Sequence, residues 1–493
     1  MTSAGFFLLL PFFSPASAQD LNVIMVVMDT ARADRTTPYG YKRDTTPNLF
    51  ALAKKAAVFE RAWAQSDWTL PGFASMYTGE RPGSHGVFAG ARLDSPPDTL
   101  ASEFKNHGFA TAAFMNPIIP FDEDGFCRGF EICSMLHVPN SIGSLADTMP
   151  KALEWLDQSH GSRFFLVIHG VDVHTPFSCP EPYKFRFDPG RKKPDPQARS
   201  EYSDGCLSYE DGVLPSLYRA MDRFRLWDDT VLMVVSDHGD SLGEHGAYGH
   251  YARPPYEEIA HIPLIVYHPR LAKPGGRIAA PVEHIDIFPT LMDMEGWPIP
   301  PQAEGRSFKN LLLAGGDQGF QERGQYSQAY FYPPGMKFRK VLNLEAFRLG
   351  DWKIVRSTSA WELYDLSRDP GEERDLMSAK PETFLRLAAA MMKLKMQGFR
   401  PANYDVRVPE DAPCSFPRDQ KTVRVQCGPS ELAYSLETGD FSGAAPDSRV
   451  ADLAGRLMDH VEAVRFADRK EYRGMPLPSK SALEKLRKAG YVQ

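Results

Sequence analysis

The stretch "VLMVVSDHGDSLGEHG", Val231–Gly246, joins a run of large apolar residues to a group of acids and histidines. A short apolar run that ends at polar residues is typical of a strand buried on both faces of a sheet. Asp237 and His238 follow this run directly. Ligands of open α/β sheets bind where loops leave the carboxyl ends of the strands. The stretch therefore predicts both a buried strand and a functional loop.

Comparable apolar runs recur along the chain and alternate with helical patterns. The runs predict parallel strands at Asn22–Met28, Phe109–Met115, Phe164–His169, Thr230–Ser236 and Pro263–Tyr267. The helical patterns lie at Pro47–Ala57, Leu100–Asn106, Leu145–Asp157 and Leu207–Phe224. Alternating strands and helices predict an α/β fold, a doubly wound and mostly parallel sheet flanked by helices.

The character of the sequence changes near residue 326. Hairpin-like strands in "EAFRLGDWKIVR" and "WELYDL" predict a smaller C-terminal α+β region with an antiparallel sheet and a helix at Pro381–Met396. After residue 397 the chain is rich in Pro, Asp and Gly, and it ends with helical patterns at Arg449–Phe466 and Lys480–Ala489. We therefore predict a catalytic domain over 19–325, a subdomain over 326–396 and an extension over 397–493.

The N-terminus has the pattern of a secretory signal. An apolar run from Phe6 to Phe13 is followed by the small residues "ASA" at 16–18, so we expect cleavage after residue 18 and a secreted or periplasmic protein. The six cysteines fit an exported protein. Pairing nearest neighbours gives Cys127 with Cys133, Cys179 with Cys206, and Cys414 with Cys427, although six thiols allow about 15 arrangements.

Charge and hydropathy exclude some classes of function. The formal net charge is −7 and the basic runs are short, which gives no support for nucleic-acid binding. No segment after the N-terminus is long and apolar enough to predict a membrane helix.

Polar residues follow four of the predicted strands where each strand ends. They are Asp29 and Thr30, Asn116, Asp172 and His174, and Asp237 and His238. Two carboxylates and an imidazole suit a divalent cation: calcium if oxygen ligands dominate, zinc or manganese if the nitrogen matters. Taken singly, Asp29 could instead cap a helix and "SDHGD" could be a turn. Their shared position at one edge of the sheet favours a metal site.

A second candidate group lies in "SDWTLPGFASMYTG", Ser66–Gly79. Phe73, Met76 and Tyr77 share one face at helical spacing, and Pro71 suits the first turn of a helix. Thr69 is then either a cap or a nucleophile at the positive end of the helix. The stretch alone favours the cap, because caps are far commoner than nucleophiles.

Several motifs together resemble the sulfatase family of the alkaline phosphatase superfamily. They are "NVIMVVMDTARADRTTPYGY", "TLPGFASMYTGERPGSHGV", "DVHTPF", "SDHGDSLGEHG", "PYEEIAHIPLIV", "EHIDIFPTLMDMEGWPIPPQAEGRSF" and "RLGDWKIVRSTSAWELYDLSRDPGEERDL". They occur in the order of the family, between Leu21 and Leu376. The resemblance implies an alkaline-phosphatase-like fold and hydrolysis of sulfuric or phosphoric esters.

The resemblance places Thr69 at the position of the nucleophile. The family motif has Cys or Ser, then Pro, Arg and Thr-Gly; this chain has Thr69, Pro71, Phe73, Thr78 and Gly79. Threonine carries a β-methyl group and cannot become formylglycine, and the supporting arginine is Phe73 here. The resemblance therefore implies an unmodified threonine nucleophile, as in phosphodiesterase, phosphatase and phosphoethanolamine-transferase relatives.

The same resemblance assigns roles to the other site residues. Asp29, Asp237, His238 and Thr69 fall on metal-ligand positions, with Thr30 at a position that is acidic in relatives. His174 falls on a substrate-contacting histidine, a candidate general acid. Asn116 and His250 stand where relatives carry substrate-binding lysines. Neutral groups at both positions favour a transferring group with one negative charge, a sulfate or a phosphate diester.

Alternatives remain at this stage. We expect one divalent cation, zinc, calcium or manganese; a second ion, on Asp172, His174 and His284, is the less favoured arrangement. The expected substrate is a small-molecule, glycan or lipid ester, and the sequence does not indicate the oligomeric state. The other functions considered are a phosphoryl-head-group transferase of the same superfamily and an inactive binding protein on this fold.

Overall fold

The computed structural model describes most of the catalytic region and part of the C-terminal region. The described residues are 21–87, 93, 99–116, 125–138, 141–177, 179–191, 198–316, 319–320, 322–331, 342–357, 360–396, 422–427, 430–435, 438–442 and 453–459. The predicted signal peptide and the helical pattern at Lys480–Ala489 lie outside them.

A nine-stranded mixed sheet forms the centre of the molecule. Its strands are β1 (Asn22–Met28), β2 (Ala57–Trp63), β3 (Ala110–Met115), β4 (Ile132–Met135), β5 (Phe164–Gly170), β6 (Thr230–Val235), β9 (His261–Ile262), β10 (Leu264–Tyr267) and β11 (Arg277–Glu283). Two short strands, β7 (Ser241–Leu242) and β8 (Tyr248–Gly249), pair as a separate hairpin. The order across the sheet is β11-β2-β10-β6-β1-β5-β3-β4, with β9 paired to β2.

Helices cover both faces of this sheet. They are α1 (Pro47–Ala53), α2 (Thr69–Thr78), α3 (Pro82–His85), α4 (Leu100–Asn106), α5 (Leu145–Ser159), α6 (Glu181–Lys184), α7 (Arg199–Asp211), α8 (Leu214–Arg223), α9 (Glu257–Ala260), α10 (Ile287–Glu295) and α11 (Lys309–Leu313). Alternate side chains of β1 enter opposite cores: Val23 and Met25 pack with α2 and α4, whereas Ile24 and Val26 pack with α5 and α8. This alternation confirms the doubly wound α/β fold.

Three predictions of individual elements are wrong. The strand at Leu264–Tyr267 is antiparallel to both of its neighbours, because the chain leaves β6 at the carboxyl edge of the sheet and returns from that same edge after residues 236–263. The helical pattern over Pro47–Ala57 ends at Ala53, and Ala57–Trp63 is a strand. The pattern over Leu207–Phe224 is divided between two helices, with a break at residues 212–213.

The carboxyl ends of four parallel strands meet at one edge of the sheet. β1 is hydrogen-bonded between β5 and β6, and β3 lies on the far side of β5, all in parallel register. The residues that follow these strands are therefore neighbours in space, as predicted.

An antiparallel sheet in the C-terminal region confirms the predicted α+β character. Its strands are β12 (Gln325–Phe331), β13 (Leu342–Leu349), β14 (Trp352–Arg356) and β15 (Trp361–Asp365), followed by α12 (Pro381–Met396). A further three-stranded sheet contains β16 (Thr422–Cys427), β17 (Ser430–Ser435) and β18 (Phe441–Ser442), and residues 453–459 are helical, within the predicted pattern at Arg449–Phe466. Leu432 and Leu457 pack in one core with Phe347 and Phe384, so the regions predicted as separate at residue 397 share a core.

Two of the predicted disulfides are formed. Cys127 is bonded to Cys133, and Cys179 to Cys206. The third predicted pair includes Cys414, which lies outside the described residues. In the described part of the chain, no helix is both long and apolar enough to cross a membrane.

Candidate metal centre and nucleophile

Two acids and a histidine converge where β1 and β6 end. Asp29 follows β1, and Asp237 and His238 follow β6. All three are fully buried, and one ligand atom from each lies within 4.8 Å of the other two. Their convergence follows from the parallel pairing of β1 with β6, which brings the two strand ends together.

Backbone groups hold these side chains in place. The Thr30 N–H donates to Asp237 Oδ1 at 3.2 Å, and the His238 N–H donates to the same oxygen at 2.9 Å. The His238 Nδ1 donates to the Gly239 carbonyl oxygen at 2.8 Å, because a carbonyl can only accept. His238 Nε2 is therefore the ring nitrogen that faces the acids.

Thr30 takes part through its backbone. Its φ of 58° is left-handed, which turns its N–H toward Asp237, and its hydroxyl donates to the Asp29 carbonyl at 2.7 Å. Thr30 thus orders the ligand loop, and the ligand role predicted for its side chain stays a prediction.

The carboxylates fit a cation. Among the described residues, no donor reaches Asp29 Oδ1 or Asp237 Oδ2 with a hydrogen bond, although both atoms are buried. A buried carboxylate oxygen without a donor is costly, and a bound cation removes that cost. Two carboxylates and one imidazole nitrogen suit zinc or manganese, and a roomier site would suit calcium.

The pKa values of these side chains reflect the same crowding of negative charge. Burial, together with the charge on Asp237, raises the pKa of Asp29 well above its ordinary value. Burial lowers the pKa of His238, but the charges on Asp237 and Asp29 outweigh it and raise that pKa. His238 and His169 lower the pKa of Asp237 against the effect of burial, so the cluster favours protons on Asp29 and His238, in the place where a divalent ion would bind.

Thr69 lies against this cluster and is not a helix cap. It is the first residue of α2, and the N-cap is Trp68, which makes no side-chain capping bond. The Thr69 hydroxyl lies 3.4 Å from Asp29 Oδ2 and 3.4 Å from His238 Nε2. Gly72 allows this approach, because a Cβ there would lie 2.8 Å from the Asp237 carbonyl oxygen. The hydroxyl thus meets the ligand set at the positive end of a ten-residue helix.

Phe73 packs where the family motif has an arginine. Its ring meets His169 edge-on at 5.2 Å, and both residues are buried. His169 Nε2 lies 3.1 Å from Asp29 Oδ2 and donates to it. Burial lowers the pKa of His169 to about 4, so the group that orients Asp29 is a neutral ring.

Two further histidines line the cluster. The His250 ring lies 4.4 Å from that of His238 and 5.0 Å from that of His174. His250 Nδ1 lies 3.2 Å from Asp240 Oδ1. Burial, the charge on His238 and that on Arg253 lower the pKa of His250, and burial lowers that of His174 to about 3. Both rings are therefore neutral, and the structure brings both predicted histidines to the site.

Asn116 makes its contacts with the backbone. With its amide oriented to satisfy both groups, the nitrogen donates to the His169 carbonyl at 3.1 Å and the oxygen accepts from the Ser144 N–H at 3.2 Å. It joins the loop after β3 to the end of β5, and its role in substrate binding stays a prediction.

The alternative second set of metal ligands does not converge among the described residues. Asp172 accepts hydrogen bonds from the Ser144 hydroxyl and the Leu145 N–H. His284 Nε2 lies 2.8 Å from the Ser236 carbonyl. In the described ranges, the group with metal-ligand spacing is Asp29, Asp237 and His238.

Sequence analysis missed two acids of this region. Asp240 supports His250, and its spacing in "SDHGD" was a signal that could have been followed. Glu210 is buried behind β5, its oxygens accept no hydrogen bond from described residues, and burial raises its pKa well above the ordinary value. Nothing in the pattern of α7 distinguishes Glu210 from a surface glutamate.

Comparison with known proteins finds two family models along this chain. The family model described as Sulfatase matches residues 21–296, and the model described as N-sulphoglucosamine sulphohydrolase, C-terminal, matches residues 243–400. Iduronate 2-sulfatase of Homo sapiens is 24% identical over 408 residues, covering 59% of this chain and 73% of its own. The ulvan-active sulfatase of Formosa agariphila is 24% identical over 407 residues, covering 73% and 78%.

Solved structures share the fold. Phosphonate monoester hydrolase of Agrobacterium radiobacter superposes with a TM-score of 0.67 and 21% identity, over 77% of this chain and 96% of that one.

Proposed function

Because this chain belongs to the sulfatase family, we propose that it cleaves its esters through Thr69, beside a divalent cation held by Asp29, Asp237 and His238. Membership makes it a hydrolase acting on sulfate or phosphate esters. The observation that carries the proposal is the position of the Thr69 hydroxyl, 3.4 Å from both Asp29 Oδ2 and His238 Nε2.

The residues of this chain account for the steps of transfer. The Thr69 oxygen attacks sulfur or phosphorus in line, forms a new O–S or O–P bond, and the bond to the leaving oxygen breaks. Its hydroxyl proton has Asp29 Oδ2 as a nearby acceptor. A divalent cation in this site supplies charge neutralisation and favours the deprotonated hydroxyl. Water then cleaves the ester on Thr69 and restores the enzyme.

The neutral rings favour a transferring group with one negative charge. His174 and His250 lie beside the cluster, and burial keeps both uncharged. A sulfate ester or a phosphate diester carries one charge, whereas a phosphate monoester carries up to two. The sulfated glycans or small molecules acted on by relatives are the proposed substrates here. A secreted or periplasmic location, from the N-terminal pattern, belongs to the same proposal.

The test replaces the nucleophile and keeps the site. Wild type, Thr69→Ala and Thr69→Ser are compared on matched aryl sulfate, phosphate monoester and phosphate diester, with zinc, manganese or calcium supplied in turn. We expect Thr69→Ala to lose at least about 10⁴-fold in kcat and Thr69→Ser to retain activity.

Mass spectrometry of the peptide containing Thr69 provides a second readout. We expect unmodified threonine at rest, and threonine carrying a sulfuryl or phosphoryl group after rapid quenching. If Thr69→Ala turned over every ester as fast as wild type, the proposal would be overturned.

A further inference from the structure

A short hairpin presents an exposed tyrosine close to the proposed centre. β7 pairs with β8, and Tyr248 in β8 stands two residues before His250. Tyr248 is 46% exposed, whereas His250 is buried beside His238. Gly243, with a φ of 130°, leaves room for the ring, because a Cβ there would lie 3.3 Å from the Tyr248 hydroxyl. The hairpin therefore connects the surface to the histidines of the site.

Two arginines from different parts of the chain meet at this tyrosine. The Arg199 guanidinium, at the start of α7, lies 5.3 Å from the centre of the Tyr248 ring. The Arg253 Nη2 donates to the Tyr248 carbonyl oxygen at 3.1 Å. The Arg253 N–H also donates to Asp67, two residues before Thr69, at 3.1 Å. Both guanidinium groups are thus fixed at the edge of the site.

Both guanidinium groups act on charged or titratable groups of the site: the charge of Arg199 acts on Asp240, and that of Arg253 on His250. Within the described part of the chain, no carboxylate forms an ion pair with Arg199 or Arg253, and the buried Arg253 Nε has no hydrogen-bond acceptor. By contrast, Arg32 binds both Asp34 and Glu244 at 2.8 Å. A guanidinium group that is held in place but lacks an anion matches the planar oxygens of a carboxylate or sulfate.

We propose that Arg199 and Arg253 form a subsite for a second anionic group of the substrate, a carboxylate or sulfate next to the ester that is cleaved. The subsite rests on the proposed function, since it assumes that the ester reaches Thr69. It assigns the substrate to the polyanionic class. The two neutral histidines contact the transferring group, and the two arginines supply positive charge for its neighbour.

The experiment uses one aryl ester in three forms. Nitrophenyl esters of the kind that wild type turns over are prepared without a further charge, with a ring carboxylate, and with a ring sulfonate. We expect wild type to show a lower KM for the charged forms. Arg199→Gln and Arg253→Gln should each raise that KM by about 5- to 20-fold, the loss typical of a charge-assisted contact. With Arg199→Gln, turnover of the uncharged ester should stay within about twofold.

Two kinds of variant control the result. Arg199→Lys and Arg253→Lys keep the positive charge but lose the paired donors of the planar guanidinium group. They should reverse part of the increase in KM for the charged esters. Arg223→Gln makes the same change in charge at the C-terminal end of α8. This position precedes β6, and Asp237 follows the opposite end of that strand. The substitution should leave KM unchanged for the charged and the uncharged esters. Comparing the carboxylate with the sulfonate identifies which anion the subsite prefers.

Binding separates failure of the subsite from failure of the proposed function. Calorimetric titration of the three esters into the Thr69→Ala protein requires no turnover. Tighter binding of the charged forms that is lost in the arginine variants supports the subsite, even if no ester is hydrolysed. Equal binding of all three forms, or an equal loss on the charged and uncharged esters, would overturn it.

Discussion

Two groups of buried carboxylates in this molecule differ in what surrounds them. At the ends of β1 and β6, Asp29 and Asp237 each keep an oxygen that accepts no hydrogen bond from described residues. Where the catalytic domain meets the C-terminal sheet, Glu257 has one oxygen 3.0 Å from Lys353 Nζ and the other 3.0 Å from Arg348 Nη1. The acids of both places are largely removed from solvent, but among the described residues only those at the C-terminal sheet are paired with lysine and arginine.

The electrostatics follow this difference. Burial alone would raise the pKa of Glu257, but Lys353 and Arg348 lower it to about 2. Burial and Asp237 together raise the pKa of Asp29. A carboxylate paired within the chain is part of the architecture, whereas a cluster of buried carboxylates and a histidine without such a partner is a candidate site for a cation. Substituting one residue from each group should therefore separate activity from stability.

The largest expected effect comes from Asp237→Asn. This change removes a charge from the proposed metal ligands, and we expect kcat to fall by at least about a thousandfold. Metal content, measured by elemental analysis of the purified protein, should fall with it. In the metal-free protein the substitution removes both the repulsion with Asp29 and the attraction to His238, so stability is compared separately from activity, in the absence of metal.

The matched control is Glu257→Gln, which also neutralises one acid, here a partly buried one. We expect it to lower the free energy of unfolding and to leave metal content and kcat near wild type. The comparison would fail if Asp237→Asn retained its metal, or if Glu257→Gln lost it.

Lys353→Met tests the ion pairs at the C-terminal sheet by removing the cation instead of the acid. Lys353 is fully buried, contacts Glu257 and Glu372, and lies 4.8 Å from the centre of the Trp63 ring. Removing its charge leaves two buried acids without that partner, and we expect a loss of about 3 kcal/mol in the free energy of unfolding. Denaturant unfolding measures this loss, and metal content should not change.

A double-mutant cycle with Glu257→Gln is the control. Coupling within the pair predicts that the double variant is more stable than the sum of the two single losses. Strict additivity would show that Lys353 acts through packing on Trp63 and would contradict the view of this contact as an ion pair.

Much of the metal centre could be read from the sequence because it depends on local order. An apolar run followed at once by acids and histidines places those residues at a strand end, whichever strands pair with it. Asp29, Asp237 and His238 therefore met as expected. A helix near Pro381–Met396 was likewise predicted, since its apolar spacing is local.

What the sequence could not show depends on contacts between distant residues. The antiparallel direction of Leu264–Tyr267 leaves no trace in an apolar run. In "AVFERAW", Glu60 and Arg61 interrupt the apolar pattern, and the strand is recognisable only from its pairing with β11. The contacts of the Asn116 amide with the backbone of His169 and Ser144 could not be foreseen either, because these residues are distant in the sequence. Arg199 and Arg253 both contact Tyr248 only because the chain folds back between them.

The smallest expected effect of a substitution concerns His245, which lies between Asp237 and Glu257 in the chain. His245 has its Nδ1 2.9 Å from Glu258 Oε1 and its Nε2 3.0 Å from the Glu372 carbonyl. Both partners accept, so the geometry requires a ring that is protonated on both nitrogens. Burial opposes that charge, but Glu258 and Glu372 raise the pKa of His245 to about 9.

The sign of the pH effect follows from this raised pKa. The pKa in the unfolded chain is about 6.5, so His245 stabilises the fold fully below that pH and loses its contribution as the pH rises through about 9. Solvent screening at this partly exposed ring reduces the effect to about 1–2 kcal/mol. We expect His245→Gln to be less stable than wild type at pH 6 and to converge with it above pH 9, in denaturant unfolding at each pH. A constant difference in the free energy of unfolding across that pH range would show that His245 acts through packing on Tyr256 and not through its charge.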